Sequence, residues 1–265
     1  MFGWGNTVNG ELGLGGIEEE QILSPRELKF SKATQVQQVA CGTNHTAVVT
    51  NDGQVYTCGN NDFSQLGHNK PRKRLEQVDG LSAYVINNVA CGMAHSVAVN
   101  EWGQVFSWGS NVYGQLGMGI SDTLLVPKVI KTLATCNVIQ ITCGLNHCLA
   151  LTNSGVLYSW GCNKHGQLGL GTKATMELKP KPIKSLAGIP IAFIASGGNH
   201  TFAVSKSGFV VRVYSFQAVS VYGSRNSSKI CVLIESSLPV SWHFLGNPES
   251  CLCATTHETQ KSSEV

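Results

Sequence analysis

The sequence predicts an all-β fold assembled from one repeated unit, and three observations point to it. First, His45, His95, His147 and His200 recur at intervals of 50, 52 and 53 residues. The first three lie in Cys-Gly-x-x-His strings ("CGTNH", "CGMAH", "CGLNH") and the fourth in "SGGNH". Second, the tetrads "YTCG", "FSWG" and "YSWG" end at Gly59, Gly109 and Gly161 in the same register. Third, charged residues are only 13% of the chain against 42% hydrophobic, about half the usual charged share. That balance argues against a polar helical bundle. A period shared by several independent markers is the signature of a repeat architecture.

Each unit reads as short strands in a fixed order. A β-branched run ending in glycine comes first, as in "VQQVACG". The stretch "HTAVVTNDGQVYTCG" then supplies two strands around the turn "NDG" at 51–53, which recurs as "EWG" at 101–103 and "NSG" at 153–155. Asp-Gly favours a tight hairpin because glycine reaches positive φ without a Cβ penalty. "HTAVV", "HSVAV", "HCLAL" and "HTFAV" are apolar without clean alternation, as expected of a strand covered on both faces. "SQLG" at 64–67 and "GQLG" at 114–117 and 166–169 follow, with "FGWG" and "GELG" near the start as earlier copies. The more variable stretch after them, such as "HNKPRKRLEQVDGL", suits a surface loop on one rim.

A unit of about 50 residues built from short strands has the size of one propeller blade. WD-type blades run nearer 40–45 residues and carry Gly-His and Trp-Asp marks. Kelch blades carry a Gly-Gly pair with spaced aromatics, which these units lack. The strings "GSNVYGQLG", "CGLNHCLAL" and "DGQVYTCG" resemble the regulator of chromosome condensation repeat, over residues 1 to about 208. Members of that family usually form seven-bladed propellers, so the resemblance implies a partial β-propeller of about four antiparallel blades. Such an arc would leave the lateral faces of its end blades bare.

The repeated Cys and His residues raise the question of chemistry. A metal or catalytic cluster needs its members within a few ångströms, whereas equivalent positions of successive blades are spread around a ring. Cys41, Cys91 and Cys143 are therefore expected to be small buried residues. His45, His95, His147 and His200 are expected to hydrogen-bond backbone within or between blades, and Gly59, Gly109 and Gly161 to close strands. No catalytic, cofactor-binding or metal-binding residue is expected. "CLC" at 251–253 with His257 has suitable ligand types but no second Cys or His pair to complete a site. "KPRKR" at 70–74 reads as a solvated rim loop. "GLGG" at 13–16 and "GLGTK" at 169–173 lack phosphate-loop spacing and read as turns.

Composition bounds the remaining classes. A net charge of +3 gives no reason to expect a nucleic-acid partner. No apolar run is long enough for a membrane helix. "MFGWGNTVNG" has neither the basic start nor the apolar core of a secretory signal, and the ten cysteines are then expected as free thiols. A cytoplasmic setting is expected, with the nucleus second.

The repeat marks stop at Gly208. Of 29 glycines only Gly223 and Gly246 lie beyond it. Residues 1–208 are thus expected to be the repeat region and 209–265 a non-repeat, poorly ordered tail. The abrupt loss suggests a splice or gene-model junction more than a divergent extension. The opening "LGLGGIEEE", with a proline at position 25, and "GIPIAFIASGGNH" at 188–200 are similar to the small HERC-type ubiquitin ligases. In that family the catalytic cysteine belongs to a HECT domain, for which this sequence has no matching position. The resemblance implies a protein-binding module whose partners are ubiquitination substrates or regulators. Two alternatives stay open, an exchange factor for a small GTPase and a truncated product without independent function.

Overall fold

The computed structural model describes residues 1–15, 19–28, 35–208, 210–213 and 220–222. Its N-terminal sheet has two antiparallel strands, β1 (Phe2–Asn6) and β2 (Gln21–Glu27). The first full blade follows: β3 (Val36–Cys41), β4 (His45–Thr50), β5 (Val55–Gly59) and β6 (Glu76–Gln77). The second is β7 (Ile86–Cys91), β8 (His95–Asn100), β9 (Val105–Gly109) and β10 (Leu124–Val129). The third is β11 (Val138–Cys143), β12 (His147–Thr152), β13 (Leu157–Cys162) and β14 (Met176–Pro182). The fourth is β15 (Ile191–Ser196), β16 (Thr201–Ser205), β17 (Val210–Val213) and β18 (Ser220–Tyr222).

Every full blade is an antiparallel meander in chain order. Among the described residues helix is confined to three short 3₁₀ turns. This is the all-β, partial propeller expected from the repeats. The last two strands of the fourth blade come from beyond Gly208, where the repeat marks stop. "CLC" at 251–253, His257 and most of the 209–265 tail lie outside the described residues.

The core sits in the joints between successive blades. One apolar cluster joins the first and second blades, including Val49, Val89, Phe106 and Trp108. A second joins the second and third (Val97, Ile141, Trp160), and a third joins the third and fourth (Leu149, Ile194, Ala203). Strands β8 and β12 are buried at every position, which is why their sequences show no alternation.

Two sequence expectations need correction. The stretch "HNKPRKRLEQVDGL" is more than a surface loop, because it contains β6 and a 3₁₀ turn that buries Leu81. Its counterparts β10 and β14 are full outer strands. They escaped the pattern because they are edge strands, largely exposed and holding Pro127, Pro180 and Pro182. Proline and lysine on an edge suppress pairing with another chain. The run at 70–74 keeps exposed side chains but is tied to its neighbours. Lys70 pairs with Asp79 at 2.7 Å and Arg72 with Asp62 at 3.4 Å. The Lys73 carbonyl accepts the Gly15 N–H.

Candidate interaction face

Two kinds of loop meet on one face of the arc. Turns of the Cys-Gly-x-x-His type join the first and second strands of a blade, and the Gly-Gln-Leu-Gly loops leave the third strand. They are adjacent because the first residue of each second strand pairs with a glycine at or next to the end of the third: His45 with Gly59, His95 with Gly109, His147 with Gly161. Those glycines have φ of +110°, +101° and +101°, and a Cβ on Gly109 would sit 2.6 Å from the Ala94 carbonyl. No side chain fits there.

The Gly-Gln-Leu-Gly loops are held rigidly by two of their own side chains. Asn111, fully buried, accepts the Leu116 N–H at 2.9 Å and donates to the Ile120 carbonyl at 2.7 Å. Gln115 accepts the Tyr113 N–H at 2.8 Å. Asn61 with Gln65, and Asn163 with Gln167, repeat the arrangement. Amides bonded to their own loop in this way fix it in one conformation, although Gln167 Nε2 is buried without a partner. What the loops expose differs from blade to blade. Val8, Phe63 and Val112 stand at successive tips, the last two 50% and 60% exposed. Lys164 and His165 take the equivalent places in the third blade, with the Lys164 ammonium 4.9 Å above the Tyr113 ring.

Beneath the loops, each joint carries a polar relay. His45 Nε2 lies 2.9 Å from Ser96 Oγ, and that hydroxyl donates to the Gln65 carbonyl at 2.8 Å. A hydroxyl has one hydrogen, so the ring must donate and is the Nε2–H tautomer. His147 Nε2 meets Thr201 Oγ1 at 3.0 Å, which donates to Gln167 O at 3.0 Å. His95 Nε2 meets Cys148 Sγ at 3.1 Å, and that thiol donates to Gln115 O at 3.3 Å. Where bonds to backbone were expected, the rings of His45, His95 and His147 thus reach side chains of the next blade and, through them, a backbone carbonyl. Trp108 and Trp160 donate to the same Gln65 and Gln115 carbonyls at 2.8 and 2.9 Å.

The His45 and His147 rings are neutral. Burial, reinforced by the neighbouring His95 imidazole, lowers His45 from 6.5 to about 3, and burial likewise lowers His147 to about 3. Burial pushes the Cys91 and Cys143 thiols well above the usual range. The glycine in each Cys-Gly-x-x-His turn makes room for the ring: a Cβ on Gly144 would overlap the His147 imidazole and come 2.6 Å from the Gly197 carbonyl.

The expected burial of the repeat cysteines holds for Cys91 alone. Cys41 is exposed and Cys143 half-buried. Each of these residues faces the preceding blade, and the two-stranded N-terminal sheet has no inner strands to cover Cys41. His200 is half-buried and packs edge-on to Phe202, ring centroids 5.8 Å apart. Adjacent repeats also come closer than a ring of separate blades suggests, because His95 gathers with Cys143 and Cys148 of the next blade. Sequence reasoning missed Gln38, Asn88 and Gln140. Gln38 accepts the Val89 N–H at 2.9 Å and donates to the Val89 carbonyl at 3.0 Å. Gln140 does the same to Ile194, both at 3.1 Å, while Asn88 accepts the Ile141 N–H. The signal available was a polar residue two positions into the first strand of each of the first three blades.

Blades of antiparallel meanders joined by buried histidine relays define a propeller of the regulator of chromosome condensation class. The RCC1-like domain family model matches residues 1–220, and the chain belongs to that family. Human "Probable E3 ubiquitin-protein ligase HERC4" is 53% identical over 211 residues, covering 79% of this chain and 20% of that protein. The chain thus spans about a fifth of the length of that relative. Among solved structures, human WBSCR16 superposes with a TM-score of 0.72 at 29% identity, covering 80% of this chain and 56% of that one. Prp20p of Saccharomyces cerevisiae gives 0.69 at 26%, covering 80% and 52%.

Proposed function

We propose that the chain is a protein-interaction module similar to the propeller of a HERC-type ubiquitin ligase, recognising a substrate or regulator through its loop face. One observation carries the reading: Phe63 and Val112 are apolar side chains held out at the tips of rigid, successive loops, with Val8 exposed at the tip before them. Exposed apolar residues on a rigid scaffold favour protein partners. In this reading the propeller selects the partner, and the transfer chemistry belongs to a separate HECT domain.

The test compares partners captured by the wild-type chain, by Phe63→Ser/Val112→Ser, and by Trp102→Ser on the opposite face. Trp102 is 62% exposed at a hairpin tip, so all three substitutions spare the core. Saturable partners should be lost from the loop variant and kept by Trp102→Ser. The reverse pattern overturns the assignment of the face. A second reading follows from the likeness to Prp20p, whose structure is described together with its binding to Gsp1p and histones. Catalysed nucleotide release from a small GTPase at sub-stoichiometric amounts of this chain would favour it.

A further inference from the structure

The three inter-blade joints share one layout but not one chemistry. In each, two positions of the following blade matter: the end of its first strand, and the residue after its own histidine, which the ring meets. At the first joint these are Cys91 and Ser96, and at the third Ser196 and Thr201. Only the middle joint, among the described residues, has sulfur at both, so that His95 faces Cys143 and Cys148. The His95 Nε2 and the two thiol sulfurs all lie within 4.8 Å of one another. His95 Nε2 is 3.1 Å from Cys148 Sγ, and the two sulfurs are 3.6 Å apart.

We infer that this joint is a binding site for a single thiophilic cation, Zn²⁺ or Cu⁺, held by His95, Cys143 and Cys148. Zinc–sulfur bonds of about 2.3 Å at tetrahedral angles place two sulfurs about 3.8 Å apart, close to the separation found here. The ring nitrogen needs to retreat a few tenths of an ångström from Cys148. Two thiolates and an imidazole are a donor set that selects zinc and cuprous ions over harder cations. Three donors complete a trigonal Cu⁺ site and leave one position open on Zn²⁺. Uptake of Zn²⁺ moves the His95 ring proton from Nε2 to Nδ1 and releases both thiol protons to solvent, and the dication with two thiolates and a neutral ring carries no net charge, which suits a buried joint. Cys143 is half-buried and gives the ion a way in. His95 belongs to the second blade and both cysteines to the third, so a bound ion ties the two blades together. The site lies beneath the loop face, where Cys148 now bonds the Gln115 carbonyl.

The neighbouring joints supply fold-safe variants. Ser96 already takes a ring hydrogen bond and donates to a glutamine carbonyl, so Cys148→Ser keeps both contacts in the third blade. Cys143→Ser places the hydroxyl found at the equivalent Ser196, whose Oγ is buried without a partner, so its unfolding in chelator is compared with that of Cys148→Ser. The full chain, reduced and freed of metal by chelation, is titrated separately with Zn²⁺ and with Cu⁺ under anaerobic conditions and followed by native mass spectrometry. Co²⁺ serves as the absorbance probe for thiolate ligation. One equivalent of Zn²⁺ or Cu⁺ should bind, with sulfur-to-cobalt charge-transfer absorbance and a raised unfolding temperature. Cys148→Ser and Cys143→Ser should each weaken binding by more than about 100-fold while unfolding like the wild type in chelator. The tail variant Cys251→Ser/Cys253→Ser should bind as the wild type does. Failure of the wild type to bind either ion, or undiminished binding in both joint variants, overturns the site.

Discussion

His45 and His147 stay neutral at a pH where an exposed imidazole begins to charge, and this links the fold to pH. Their folded values lie near 3 against 6.5 in the ordinary state. Below about pH 6.5 the unfolded chain therefore binds more protons than the folded one, and stability falls as pH falls. The loss should run from about pH 6.5 towards pH 3, at up to about 1.4 kcal/mol per pH unit for each ring. Urea midpoints measured across that range with chelator present check it, and a flat profile would contradict buried neutral rings. His147→Ala should cost about 1–3 kcal/mol, as for a buried hydrogen bond lost at one end. Gly144→Ala should be harmful because its Cβ meets the His147 ring and the Gly197 carbonyl. Its cost should shrink in the His147→Ala background, where the ring is gone. A double-mutant cycle reads that coupling directly, and strict additivity would show that ring and glycine do not compete for the same space.

At the scale of the element, each Gly-Gln-Leu-Gly loop depends on one buried asparagine. Asn111→Ala removes the acceptor for the Leu116 N–H and the donor for the Ile120 carbonyl. It should destabilise the chain by about 1–3 kcal/mol and make residues 110–120 a new site of limited proteolysis. An unchanged cleavage pattern would mean that neighbouring loops, not this side chain, hold the conformation. The period marked inner strands and hairpins readily, because Cys, Gly, His and the "DG" turn are demanded by local geometry in every blade. The outer strands β6, β10 and β14 were not legible. Leu124 and Ile130 are buried but flank an exposed, proline-containing stretch, and an edge strand needs only one neighbour to define it.

Across the whole molecule, three apolar joints link the four described blades in sequence, so stability is a sum of nearest-neighbour joints. The middle strands β8 and β12 are buried at every position, whereas β1 is almost wholly exposed. Native-state hydrogen exchange should follow that order, with β8 and β12 exchanging last and the β1–β2 sheet first. Equal protection throughout would indicate one cooperative unit and would undo the joint-by-joint picture.

The sequence by itself determined the repeat, the order of its inner strands and its family. These follow from local requirements, such as a positive φ at Gly109 or the space a ring needs beside Gly144, and local requirements recur at fixed spacing. It also marked Cys41, Cys91, Cys143 and the four histidines as members of that repeat. Which of them meet was decided only by the tertiary structure. His45 reaches Ser96 and His95 reaches Cys148 across 51 and 53 residues of chain, a distance set by how one twisted sheet packs on the next. The same packing left Cys41 exposed while burying Cys91, and it gathered two sulfurs and one imidazole at the middle joint. Spacing within a repeat is a property of one strand and its turn, but a joint is made by two blades, and no single stretch of sequence contains both.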